Sequence, residues 1–184
     1  MARIPGPFPR LGTDLVREKP LDRDVIAEAP CPLTGAPLLF VRASQPEFAL
    51  LHASRADAEG NVQVLGMTAT IEEQARAAKR VIVTVEEIVP DRVIRDQPEL
   101  TLLPGFLVEA LVEAPFGAHP AGMFRYYNFD RAHVETYVRA GKSAETFTRY
   151  LEEYVFGVAD HYAYLGKIGI RRLMELRADP WRGW

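Results

Sequence analysis

Val81-Ile-Val-Thr-Val-Glu-Glu-Ile-Val89 decides the fold. β-Branched side chains crowd a helix and fit a pleated strand, so Val81 to Val85 reads as β structure. The run is apolar without alternation, which belongs to a strand buried on both faces of a parallel or mixed sheet. It ends in two carboxylates, Glu86 and Glu87. The carboxyl ends of strands are where open α/β sheets place their ligand sites.

Upstream, Thr70-Ile-Glu-Glu73 has the capping-box pattern, with Thr70 capping the Glu73 amide and Glu73 reaching back. The helix it opens runs through Ala77, Ala78 and Lys79 into the strand. Leu38-Leu-Phe-Val41 and Phe48-Ala-Leu-Leu-His52 read as further buried strands, and Asn61-Val-Gln-Val-Leu65 alternates like a half-buried one. Ser54 to Gly60 is a polar connection that ends in Gly60-Asn61, a favoured turn pair. Downstream, Phe106-Leu-Val-Glu-Ala-Leu-Val-Glu113 reads as one more strand. Asp130 to Ala140, Ala144 to Val158 and Leu165 to Arg177 read as three helices. Val134, Tyr137 and Val138 fall at helical spacing, as do Phe147, Tyr150, Leu151, Tyr154 and Val155. Gly141 is placed to end the first of them. The expected fold is α/β, a central mixed or mostly parallel sheet flanked by helices, with a helical C-terminal tail.

Met1 to Pro37 holds seven of the fourteen prolines, Pro37 included, and little periodicity. Residues 1–36 are expected to form a proline-rich wrapping arm and residues 37–184 the α/β domain. Arg10-Leu-Gly-Thr-Asp-Leu15 is the one apolar-polar cluster in the arm, and Gly12 permits a turn there.

With 184 residues the chain fits one domain that buries roughly 70% of its unfolded surface. A net charge of −3 argues against a nucleic-acid partner, which calls for a basic stripe. No apolar run is long enough to span a bilayer, and the N-terminus lacks the apolar region of a signal peptide. Cys31 is the single cysteine, flanked by Pro30 and Pro32, so it reads as a loop residue in a reducing cytoplasm. No two histidines have metal-ligand spacing and no cysteine pair exists, so no metal site is expected. Walker, G-x-G-x-x-G and G-x-S-x-G patterns are missing. The sequence holds no self-sufficient catalytic constellation and reads as part of a site.

Few residues remain as candidates for chemistry. Glu86 and Glu87 would serve acid/base work if burial raised one of them; the alternative is that one is bonded and the other faces solvent. His119 lies in Ala114-Pro-Phe-Gly-Ala-His-Pro120, a Pro-bounded loop that either presents the imidazole to a cleft or uses it to brace itself. His52 reads as a strand-end hydrogen-bonding residue, and His133 and His161 as packed or solvated helix residues.

Three segments carry a family resemblance. They are Leu50-Leu-His-Ala-Ser-Arg-Ala-Asp-Ala-Glu-Gly-Asn-Val-Gln63, Ala77-Ala-Lys-Arg-Val-Ile-Val-Thr-Val-Glu-Glu-Ile-Val89, and Leu103-Pro-Gly-Phe-Leu-Val108 continuing through Val112-Glu-Ala-Pro-Phe-Gly-Ala-His-Pro120. In order and spacing the chain resembles the A (alpha) subunit of family I coenzyme A transferases, in the glutaconate CoA-transferase-like branch. The Pro-Phe-Gly-Ala-His-Pro loop and the helical tail favour that branch, and Arg10-Leu-Gly-Thr-Asp14 is similar to one of its loops. The N-terminal part of the family pattern is missing.

The resemblance implies a subunit that helps move coenzyme A from an acyl-CoA to a carboxylic acid. Coenzyme A and its thioesters are then substrates, with no permanently bound cofactor. The nucleophilic glutamate is expected on a B-type partner subunit in a hetero-oligomer, so none is assigned to this chain. Arg55, Phe116, Gly117 and His119 are the implied substrate-binding candidates, and Glu86 and Glu87 possible carboxylates at the site's edge. Two other readings stay open: an A-type subunit of a CoA-ester ring-cleaving hydrolase, and a non-catalytic remnant acting as a scaffold or binding module.

Overall fold

The computed structural model describes residues 7–9, 26–179 and 181–182. The Arg10–Leu15 cluster with Gly12 lies outside the described residues. Two compact units divide between Glu47 and Phe48.

In the first unit, β1 (Pro7–Pro9), β2 (Ile26–Pro30) and β3 (Pro37–Val41) form an antiparallel sheet in the order β1-β3-β2. Cys31 to Ala36 closes the β2–β3 hairpin: Cys31 N donates to Ala36 O, Gly35 N donates to Cys31 O, and Gly35 adopts φ 70°. Cys31 is thus a turn residue. The strand expected at Leu38–Val41 is present here, half-buried.

The second unit contains β4 (Phe48–Ala56), β5 (Val62–Gln63), α1 (Ile71–Ala77), β6 (Arg80–Ile88), α2 (Asp91–Arg95), β7 (Thr101–Leu103) and β8 (Ala110–Glu113). The strands form one mixed sheet in the order β7-β5-β4-β6-β8, with β4, β6 and β8 parallel and β5 and β7 antiparallel to their neighbours. Alternation along the strands sorts the side chains by face. Ala49, Leu51 and Ala53 of β4 and Val81, Val83 and Val85 of β6 are buried with Val62, Leu103, Ala75 and Ala78 in the main core.

The opposite face carries His52, Thr84 and Glu86, which are covered, but also Leu50, which is 74% exposed, and the exposed Phe48. The cover expected on both faces is complete on only one of them among the described residues.

Three local expectations are corrected. Phe106–Glu113 is not one strand: Pro104 and Gly105 start a 3-10 turn over Gly105–Leu107, Phe106 is 87% exposed, and only Ala110–Glu113 pairs. Thr70 makes no side-chain cap to the amides of α1; its hydroxyl accepts instead from Gln74 Nε2 at 2.7 Å. The third helix of the tail is two helices separated at Gly169.

That tail consists of α3 (Arg131–Ala140), α4 (Ala144–Leu151) with a π-helical turn over Glu152–Phe156, α5 (His161–Ile168) and α6 (Ile170–Leu176). Asp130, Ser143 and Asp160 cap α3, α4 and α5, each accepting from the third amide of its helix. Gly141 ends α3 as expected. Gly169, at φ 91°, takes a conformation that side chains resist, and there the axis breaks. No helix among the described residues is long and apolar enough to cross a membrane.

Candidate functional site

The carboxyl ends of β4, β6 and β8 carry Arg55, Glu86, Glu87 and the loop that follows Glu113. Ala114 N donates to Val85 O at 2.7 Å, so the loop leaves β8 still fastened to β6. Phe116 then turns with φ 59°, a left-handed conformation unusual for a bulky residue. Its amide donates to Glu86 Oε2 at 2.7 Å, and its ring packs 4.6 Å from that of Tyr127.

Glu86 is the anchor of this arrangement. It is buried, and besides the Phe116 amide its Oε1 accepts from the Tyr127 hydroxyl and from His52 Nε2, both at 2.6 Å. A carboxylate only accepts, so His52 Nε2 donates to Glu86, and the other ring nitrogen, Nδ1, shares a hydrogen bond with Thr84 Oγ1 at 2.7 Å. Tyr127 in turn accepts from Ala118 N at 2.9 Å. Burial, and then the bond to Glu86, push the Tyr127 hydroxyl far above its ordinary range, so it stays a proton donor. Gly117 lies against His52; a Cβ there would stand 2.5 Å from the imidazole Cε1. Glu86 therefore ties two strands to the loop and is not free for proton transfer. Glu87 points to the other face and is exposed, accepting from the Tyr126 hydroxyl at 2.7 Å. His52 holds a strand-end network, as its position suggested.

His119 points away from this anchor, into the helical tail, with its side chain fully buried. Arg172 donates to both oxygens of Asp130, at 3.0 and 2.7 Å, and holds that carboxyl well below the usual range. Asp130 accepts, so His119 Nε2, 3.3 Å away, carries the proton. Burial lowers the His119 pKa and keeps the ring neutral, and its Nδ1 accepts from the Tyr164 hydroxyl at 2.5 Å. His133 packs edge-on to His119 and bonds Tyr150 at 2.8 Å. His161 Nε2 donates to Pro115 O at 2.7 Å, which pins the loop from the side of α5.

His119, Tyr150, Tyr154, Tyr164, Phe147 and Val155 are among the residues that line a cleft of about 750 Å³. Of the loop candidates, only His119 lines it. Phe116 and Gly117 pack inward on Tyr127 and His52. Arg55, in β4, lies apart from the cleft, bonded to Gln63 and Gln97. Asp57, Gly60 and Asn61, which follow Arg55 in its motif, form a turn: Asp57 Oδ1 accepts from the Glu59 and Asn61 amides, and Gly60 adopts φ 85°.

The sequence reading missed Tyr127, Asp130, Tyr164 and Arg172. Asp130 ahead of a periodic helix was readable as a cap; the others carry no local signature. Among the described residues no cluster of His, Cys, Asp and Glu is arranged to hold a metal ion.

Comparison with known proteins agrees with this architecture. Residues 2–114 match the family described as Coenzyme A transferase. The chain is 37% identical over 150 residues to the A (alpha) subunit of glutaconate CoA-transferase from Acidaminococcus fermentans, a match covering 82% of this chain and 47% of that one. It is 36% identical over 138 residues to the corresponding A-type chain of 3-oxoadipate CoA-transferase from Pseudomonas knackmussii, covering 75% and 48%. The crystal structure of the A. fermentans glutaconate coenzyme A-transferase matches with a TM-score of 0.81 and 35% identity, over 86% of this chain and 50% of that one. The chain spans about half the length of these relatives. With the family pattern covering most of the chain, and the sheet and tail matching a solved member, this protein belongs to the coenzyme A transferase family.

Proposed function

We propose that the chain is the A-type component of a cytoplasmic CoA-transferase, inactive alone and completed by a B-type subunit that brings the nucleophilic glutamate. The observation that carries this reading is the backbone match to glutaconate coenzyme A-transferase over 86% of the chain. The chemistry fits the site. The partner's carboxylate attacks an acyl-CoA thioester, giving an acyl-glutamyl anhydride and releasing CoA thiolate. The thiolate attacks the glutamyl carbonyl, forming an enzyme thioester and freeing the first acid; an acceptor carboxylate reverses both steps. Donor, enzyme and acceptor acids are of similar basicity, so the net transfer of CoA from one to the next is nearly balanced. Glu86 is committed to three donors and supports the loop, in keeping with a nucleophile placed on another chain. His119 and the aromatic cleft are the substrate-side candidates of the loop, and the acyl group is their ligand.

Co-expression with a B-type subunit from the same source is the test, followed by purification and acyl-CoA assays with and without an acceptor acid. Transfer that requires both chains and an acceptor is expected. Opening of the ring of a cyclic acyl-CoA with no acceptor present and the thioester intact would establish the hydrolase reading instead. Failure of the chains to associate would overturn the proposal.

A further inference from the structure

Arg55 is a cation held in place by neutral groups. Its Nε donates to Gln63 Oε1 at 2.9 Å and its Nη2 to Gln97 Oε1 at 2.7 Å, and among the described residues no carboxylate pairs with it. Arg80 and Arg172 have a different setting, each paired with an acid, Glu109 and Asp130. The support under Arg55 is itself fixed. Gln63 is fully buried, and its Nε2 donates to Ile94 O at 3.1 Å and Gln97 O at 2.7 Å. The amide can therefore turn only its oxygen to the guanidinium.

A carboxylate partner would orient Arg55 and cancel its charge. Two amides orient it without cancelling its charge, and among the described residues Nη1 and the second Nη2 hydrogen are uncommitted. Planar forks of this kind match carboxylate and phosphate oxygens bidentately. Arg55 stands near the carboxyl end of β4, the edge at which parallel sheets meet their ligands. Its register partner on β6 is Glu87, and that carboxylate accepts from Tyr126.

We infer that Arg55 is an anion-binding residue, positioned by Gln63 and Gln97, that receives a carboxylate or phosphate group of the substrate. That the anion belongs to a substrate rests on the transferase reading; the site itself rests on the geometry of Arg55. Its two possible sources are the acid's carboxylate and the phosphates of coenzyme A.

Isothermal titration calorimetry of the purified 184-residue chain tests it in low-salt buffer, with glutarate, inorganic pyrophosphate and coenzyme A as probes. Arg55→Gln is expected to weaken at least one probe tenfold or more. Arg55→Lys, which keeps the charge and loses the fork, and Gln97→Ala, at an exposed position, should weaken it less. Arg92→Gln removes a charge from an exposed arginine of α2 and should stay within twofold of wild type. A loss confined to glutarate assigns the carboxylate; a loss shared by pyrophosphate and coenzyme A assigns the phosphate. Arg55-dependent binding of glutarate or pyrophosphate leaves the site standing whether or not the isolated chain binds coenzyme A; the transferase reading stands or falls separately, on the co-expression assay. Equal binding by wild type and Arg55→Gln, with matching melting curves, overturns the inference, as does a wild type that binds none of the three.

Discussion

The Tyr127 hydroxyl donates to Glu86 at 2.6 Å, while its neighbour Tyr126 donates to Glu87 at 2.7 Å. Consecutive strand residues point to opposite faces, so the two tyrosines straddle the sheet edge and fasten both sides of it. Tyr127→Phe removes a buried donor to a charged acceptor and orphans the Ala118 amide, a loss of about 1.5–3 kcal/mol. Tyr126→Phe, at an exposed carboxylate, should cost less than about 1 kcal/mol. Urea denaturation of the two variants checks this; equal losses would contradict the assignment of Glu86 as the anchor.

Gly117 and Gly166 should respond in opposite ways to alanine. At Gly117 the added methyl meets the His52 ring at 2.5 Å and Ala114 O at 2.8 Å, so overpacking of about 1–3 kcal/mol is expected. At Gly166, inside α5, nothing lies within 4 Å, and Gly166→Ala should stabilise by about 0.5–1 kcal/mol. Thermal melts suffice, since about 1 kcal/mol moves the midpoint by roughly 2–4 °C in a chain of this size.

Stability should fall on acidification in two stages. Burial depresses the pKa of His119 and His133, so their neutral forms favour the fold above the ordinary imidazole range near about 6.5, and that contribution is lost as pH drops through their lowered values. Arg172 depresses Asp130 further down the scale, so its contribution is present above about 3.9 and lost below that as the carboxyl protonates. Urea midpoints measured between pH 8 and pH 3 should show His119→Gln flattening the upper stage and Asp130→Asn the lower. A wild-type midpoint independent of pH over this range would refute both.

In the assembled enzyme, His119→Ala separates the two roles open to this residue. As a cleft wall, His119 should give at least a tenfold loss in kcat/KM when truncated, at temperatures where the variant is folded. As a loop brace alone, it should lower the melting temperature and leave the kinetics near normal.

The sheet was legible because its evidence is local. Val81–Val85 is β-branched and apolar, and no helix accommodates it better. Phe106–Glu113 was misread because apolar content outweighed Pro104-Gly105, whose backbone preferences start a turn. The third tail helix was misread because leucine spacing runs on through Gly169, where φ 91° breaks the axis. The site was far less legible. Glu86 finds its partners 30 to 41 residues away, and His119 meets Tyr164 across 45 residues. Tertiary packing alone decides that Glu86 is the anchor and that His119 faces the tail.

The open half of the sheet has a colloidal consequence. Leu50, at 74% exposure, and Phe48, whose ring only the Arg80 guanidinium overlies among the ring contacts of the described residues, hold water against an apolar face. Sulfate raises the penalty for such contact because it is excluded from protein surfaces. The patch adds to that penalty: Leu50→Thr should raise the ammonium sulfate concentration at which the protein precipitates while leaving its melting temperature nearly unchanged, since the side chain it replaces touches mostly solvent.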